Sequence, residues 1–116
     1  MKFTLDFALE AKTEMANFYS AMAYPGSPLY LEAFSKGVKL PDTYSGYSQH
    51  SYDTQNLPSK ELSAAEILKF RDFAWDKYHT DSSYLSLLEK KFGLHARKNL
   101  EDTTKIKLKR KLIENF

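Results

Sequence analysis

The chain has 116 residues, no cysteine, 42% hydrophobic and 28% charged residues, and a formal net charge of +2. That is the composition of one globular domain. A mean hydropathy of −0.55, with no apolar run near the roughly 18 residues a bilayer requires, excludes a membrane-spanning helix. Without cysteine the chain by itself makes no disulfide, thiolate nucleophile, Cys-type zinc site or Cys-ligated iron–sulfur cluster. Its opening, Met1-Lys2-Phe3-Thr4-Leu5-Asp6, has no apolar signal core, so secretion is not expected and a cytoplasmic location is. The charge is unevenly spread: after Tyr84 nine Lys/Arg stand against four acids, a net +5, and the residues up to Tyr84 carry −3.

Thr4 reads as the N-cap of a short amphipathic helix running to about Thr13, with Leu5, Ala8 and Leu9 at helical spacing. Met15 to Met22 is rich in aromatic and small residues and is followed by Tyr24-Pro25-Gly26, which predicts a buried strand ending in a turn. Ser27 and Pro28 restart a helix as N-cap and first helical residue. Gly37 closes it. Val38 to Leu62, interrupted by Pro41, Gly46 and Pro58, is a long polar-aromatic connection. Ser63 and Glu66 have the spacing of a capping box, opening a helix through Phe70, Phe73, Trp75 and Tyr78. Thr80-Asp81-Ser82-Ser83 breaks and recaps it, and Gly93 ends the next helix. Leu94 to about Ile113 predicts one last helix, basic on its outer faces. The expected fold is mainly α with minor β: a small helical domain of four to five helices plus one or two short strands.

His50, His79 and His95 lie far apart and none has a second ligand at metal spacing, which predicts surface or capping roles. His50 and Asp53, three residues apart, have the spacing of an acid–base pair but lack a nucleophile or an orienting third group. Ser27 follows Gly26 without the Gly-x-Ser-x-Gly pattern of a nucleophile elbow. Four glycines make no phosphate loop. The run Lys105 to Lys111 suits a helix C-terminus, and no aromatic residue interleaves it as in single-strand nucleic-acid binders. The chain alone is not expected to be an active enzyme.

Two segments carry a resemblance. Asn17-Phe18-Tyr19-Ser20-Ala21-Met22-Ala23-Tyr24-Pro25-Gly26-Ser27-Pro28-Leu29-Tyr30 resembles the strand and turn near the end of a radical S-adenosylmethionine barrel. Gly46-Tyr47-Ser48-Gln49-His50-Ser51-Tyr52-Asp53-Thr54, Leu57-Pro58, Leu62-Ser63, Phe70-Arg71-Asp72, Tyr84-Leu85, Glu89-Lys90-Lys91-Phe92-Gly93 and Thr104 to Leu112 look like the C-terminal extension of such proteins that carry a cobalamin-binding domain. The family's Cys-x3-Cys-x2-Cys motif and its cobalamin domain would lie upstream. The resemblance therefore implies the non-catalytic C-terminal piece of an iron–sulfur oxidoreductase, with a 4Fe-4S cluster, S-adenosylmethionine and possible cobalamin in the parent and no cofactor in this chain.

On that basis residues 1–37 are the end of the barrel, 38–62 a polar-aromatic loop and 63–116 a helical extension. Met22, Ala23 and Tyr24 would lie near the cofactor rim in the parent, and Tyr47, Gln49, His50 and Tyr52 are the candidate substrate contacts. The expected partner is the rest of the parent polypeptide, with no membrane and no nucleic acid. An excised strand seeks a neighbour, so Ala16–Met22 is expected to pair with Tyr47–Asp53 or with a second chain as a homodimer. The alternative function is a stand-alone helical module binding an acidic protein or nucleic acid through its basic last helix.

Overall fold

The computed structural model describes residues 1–115. In chain order its helices are α1 (Lys2–Ala11), α2 (Pro28–Ser35), a 3-10 turn (Tyr44–Tyr47), α3 (Ala64–His79), α4 (Ser82–Phe92), α5 (Leu94–Lys105) and α6 (Lys111–Glu114). There is no strand among the described residues, which overturns the expected minor β content. Two compact units form, one from Met1–Phe18 with Asp72–Lys107, the other from Tyr19–Arg71 with the residues from Leu108 on.

In the first unit α1 begins at Lys2, with Met1 rather than Thr4 at its cap, and ends at Lys12, which takes a left-handed φ of 48°. Leu5 is buried, whereas Phe3 and Phe7, one turn apart, are exposed. The chain beyond α1 is held by tyrosines and not by a strand ladder. The Tyr78 hydroxyl donates to the Thr13 carbonyl at 2.5 Å and the Tyr84 hydroxyl to the Glu14 carbonyl at 2.7 Å. Tyr78 and Tyr84 rings lie 4.8 Å apart, with Phe18 edge-on to Tyr78 at 6.1 Å and His79 5.0 Å from Tyr78. Such contacts bury large rings while leaving each hydroxyl a backbone acceptor.

α4 starts on a built cap: the Asp81 carboxylate accepts from the Tyr84 N–H at 3.1 Å and from the Ser83 hydroxyl at 2.5 Å. Gly93, at φ 89°, turns the chain directly into α5, which packs on α4. The single helix expected from Leu94 to Ile113 is instead two, α5 and α6, separated at Ile106, which adopts an extended backbone of φ −82° and ψ 116°. Thr103 and Thr104 weaken the end of α5, their hydroxyls bonding back to the Asn99 and Glu101 carbonyls at 2.8 Å.

In the second unit, α2 carries the predicted start and stop. Ser27 Oγ accepts from the Tyr30 N–H at 3.1 Å with Pro28 at the first position. At the other end the Gly37 N–H reaches the Phe34 carbonyl and the Val38 N–H the Ala33 carbonyl, a Schellman closure at a glycine of φ 65°. The capping box of α3 is formed in both directions: the Glu66 N–H donates to Ser63 Oγ at 3.2 Å and the Ser63 N–H to Glu66 Oε2 at 2.8 Å. The predicted strand fails here for a physical reason. Both backbone groups of Ser20 are satisfied by the Gln49 side chain, and the Ala21 carbonyl accepts a single bond from the Leu57 N–H at 2.9 Å. A strand needs a repeating ladder, and isolated bonds of this kind do not make one. The expected strand pairing of Ala16–Met22 with Tyr47–Asp53 is therefore not formed; the two segments meet through the Gln49 side chain.

Replacing Asp81 by Ala removes the α4 cap and should cost about 1 kcal/mol in urea unfolding. His79 supplies a pH signature. Its Nδ1–H donates to the Trp75 carbonyl at 2.7 Å, and burial among Trp75, Tyr78 and Tyr84 lowers its pKa below the ordinary 6.5 despite that carbonyl and the Asp76 carboxylate. As pH falls, the unfolded chain takes up this proton before the folded one does. The contribution is thus fully present above pH 6.5 and is lost as pH falls through that value toward the lowered folded pKa. Unfolding midpoints measured from about pH 7 to about pH 5 should fall, and His79→Asn should flatten that part of the slope.

Candidate functional site

Loop residues 44–55, the most distinctive stretch of the sequence, form a braced structure within the second unit. The Gln55 N–H donates to the Gly46 carbonyl at 2.9 Å, Ser51 Oγ to the Ser45 carbonyl at 2.5 Å, and Thr54 Oγ1 lies 2.6 Å from the Ser48 carbonyl and 2.7 Å from that of Ser51. Short polar side chains here replace the bonds that a helix or sheet would have made. Gly46 is buried at the foot of the loop, and a Cβ there would stand 2.5 Å from Pro41 Cβ. A side chain at this position would therefore force the turn or Pro41 to shift.

Arg110 fastens the loop from outside it. The side chain is 2% exposed, donating from Nη1 to the Ser51 carbonyl at 2.9 Å and to Thr54 Oγ1 at 2.8 Å, and from Nη2 to the Gln49 carbonyl at 2.7 Å. The adjacent Lys111 N–H donates to the Tyr52 carbonyl at 3.0 Å, and the Tyr52 hydroxyl reaches Glu114 Oε2 at 2.7 Å. That bond to a carboxylate, followed by burial, raises the pKa of the Tyr52 phenol.

The candidate residues divide between inside and outside. Met22 and Ala23 are 6% and 2% exposed, while Tyr24 is half exposed with its ring 6.0 Å from Tyr47. Burial, with Tyr30 and Tyr44 nearby, raises the Tyr47 phenol's pKa. Gln49 is turned inward onto Ser20. The exposed His50 takes a bond at 3.1 Å between its Nε2 and Arg71 Nη2. Because a guanidinium only donates, Nε2 is the acceptor and carries no proton in this arrangement. Asp53 accepts from Ser45 Oγ at 3.2 Å, so the structure does not assemble His50 and Asp53 into an acid–base pair. Tyr24 and Tyr47 are the candidates it does bring together.

Beside the loop lies a cleft of about 260 Å³ whose walls include Lys39, Pro41, Asp42, Gly46, Asp53, Gln55 and Lys111. It offers two cations and two carboxylates to a small polar ligand but no nucleophile–base pair. Among the described residues no group of three or more His, Cys, Asp or Glu is placed to hold a metal, and with no cysteine the chain supplies none of the ligands of a Cys-held cluster. No helix among them is long and apolar enough to cross a membrane.

The residues missed from sequence are Arg110, Arg71, Thr54 and Asn56, all buried. Asn56 is fully enclosed, its Nδ2 donating to the Ala64 carbonyl at 3.0 Å while Oδ1 has no protein partner. In sequence Arg110 is one member of a basic run, and 56 residues separate it from Thr54, so no local spacing links them. No family model, curated protein or solved structure matches the chain.

Gly46→Ala forces the new methyl into Pro41 and should destabilise the protein by about 1–3 kcal/mol. A urea titration followed by tyrosine fluorescence measures that loss directly.

Proposed function

We propose that this chain is the non-catalytic C-terminal portion of a longer radical S-adenosylmethionine protein of the cobalamin-binding-domain type. The observation that carries the proposal is the Asn17–Tyr30 segment, whose resemblance to the closing part of such a barrel coincides with a well-defined local structure. Ser20, Met22 and Ala23 are buried, and the Tyr24 carbonyl then accepts from both the N–H and the hydroxyl of Ser27, at 3.1 and 2.7 Å. Gly26, at φ 87°, permits the turn, and Pro28 opens α2. Of the strand, turn and helix expected at the end of a barrel, the turn and the helix form, and the stretch before them does not form a strand.

The exposed Phe3 and Phe7 give further support. Two phenyl rings one turn apart on α1 form apolar surface of the kind that an outer barrel helix covers against its neighbours. In this role the cluster, S-adenosylmethionine and any cobalamin belong to residues outside the chain, which itself contributes packing and the Tyr24–Tyr47 face. The rival role, a basic last helix docking on nucleic acid or an acidic protein, has less to rest on. The basic run is not one helix: α5 ends at Lys105, Lys107 pairs with Asp76 at 2.7 Å, and Arg110 is buried.

The deciding experiment is an immunoblot against this chain in its source cells followed by intact-mass measurement. A species several times heavier than 13.4 kDa, containing cysteines and bound iron, is the expected result. A natural product of 13.4 kDa overturns the proposal.

A further inference from the structure

Ser20 and Gln49 exchange hydrogen bonds as two residues of an antiparallel sheet would. Gln49 Oε1 accepts from the Ser20 N–H at 3.1 Å and from Ser20 Oγ at 3.0 Å, and Gln49 Nε2 donates to the Ser20 carbonyl at 2.9 Å. In an antiparallel ladder a hydrogen-bonded pair trades both N–H···O bonds. A primary carboxamide carries the same donor and acceptor as a peptide group, so the Gln49 side chain fills the place of a neighbouring strand. It is held there from behind. The Gln49 carbonyl accepts from Arg110 Nη2 at 2.7 Å, and the same guanidinium ties Ser51 and Thr54.

We propose that Gln49, strapped by Arg110, caps a strand-pairing site on the Ser20 backbone and shields it from the same segment of a second copy of the chain. The sequence around Ser20 argues for that occupant. From Met15 to Tyr24 there are ten residues with no charge and no proline, so nothing in the segment repels or sterically blocks its own copy. Proteins usually guard such an edge with a lysine, a proline or a bulge; here an amide side chain from elsewhere in the fold does it. This inference does not depend on the proposed function, since it concerns only bonds within this chain.

The test uses the full chain in two forms, Gln49→Leu, which keeps the bulk and removes the exchange, and Arg110→Met, which removes the strap. Hydrogen exchange of the Ser20 amide is followed by NMR, and molar mass by light scattering over a concentration series. Both variants should keep the wild-type exchange of the α2 amides, which belong to the same unit as Ser20, while Ser20 exchanges about tenfold faster at low concentration. Their mass should then rise above that of the wild type toward two copies as concentration increases. Adding Ala21→Lys at this exposed position should return the mass to the wild-type value without restoring Ser20 protection. Unchanged Ser20 exchange in Gln49→Leu overturns the cap. Loss of protection with no rise in mass overturns the pairing site, and so does association that survives Ala21→Lys. If Arg110→Met fails to fold, Gln49→Leu alone decides each of these outcomes.

Discussion

The Arg110 guanidinium is enclosed among the carbonyls of Gln49 and Ser51 and the hydroxyl of Thr54, and the ordered form of the second unit depends on it. Between α2 and α3 the backbone runs from Lys36 to Ser63 with only one 3-10 turn, so its carbonyls cannot be satisfied by helical bonds. A buried unpaired carbonyl is costly. Arginine is the side chain best suited to meet several at once, with five donors in a fixed planar fork and a charge that strengthens each bond. One residue thus does for a loop what a ladder does for a strand. Gly46, Thr54 and Gln49 depend on it in turn: the turn at Gly46 brings the loop back, Thr54 presents its oxygen to the guanidinium, and Gln49 passes the support on to Ser20.

The first unit meets the same demand with different chemistry. The carbonyls of Thr13 and Glu14, just past the end of α1, are taken by the hydroxyls of Tyr78 and Tyr84. These two rings also make the aromatic core with Phe18 and His79, so each tyrosine contributes apolar burial at one end and a backbone bond at the other. In both units irregular backbone is stabilised by side chains remote in sequence. This is why the stretch after α1 can be non-helical and partly buried without joining a sheet.

The same fact explains what was legible from the residues alone. Most signals contained within four or five positions are realised: Ser27 and Pro28 before α2, Gly37 after it, the Ser63–Glu66 box, Asp81 and Gly93, with the Thr4 cap of α1 the exception. Each acts within about one turn, by a side-chain cap at Ser27, Ser63, Glu66 and Asp81 or by a positive φ at Gly37 and Gly93, so the sequence neighbourhood contains both partners. The buried strand expected at Met15–Met22 is different: uncharged small and aromatic residues suggest burial, yet Met15, Tyr19 and Ala21 are exposed, Ser20 and Met22 alone are buried, and composition does not say what bonds the backbone. The long last helix fails for a related reason. Periodicity from Leu94 to Ile113 continues through Ile106, but the backbone there is extended, and Arg110 beyond it is tied to a loop about 60 residues earlier, a partner that no local spacing announces. Arg110 itself, one base among many in the sequence, shows no local sign that it is buried.

The buried and exposed residues around the loop have, in this fold, two kinds of work. Gly46, Gln49 and Thr54 face inward, where steric room, an amide pair and a hydroxyl acceptor account for their chemistry without any ligand. Met22 and Ala23 are likewise enclosed. Tyr24, Tyr47 and Tyr52 are different: each keeps part of its ring toward solvent, and Tyr24 and Tyr47 lie side by side. Rings that no local bond requires to be exposed are those a partner surface can use, being rigid, amphipathic and inexpensive in entropy to order. If the chain serves a larger enzyme, the inward set fixes the shape of the loop and the outward tyrosines make its contacts. Substitutions in the first set therefore act through folding, whereas Tyr24 and Tyr47 can be changed with the loop intact, which makes them the residues at which a functional contact is separable from stability.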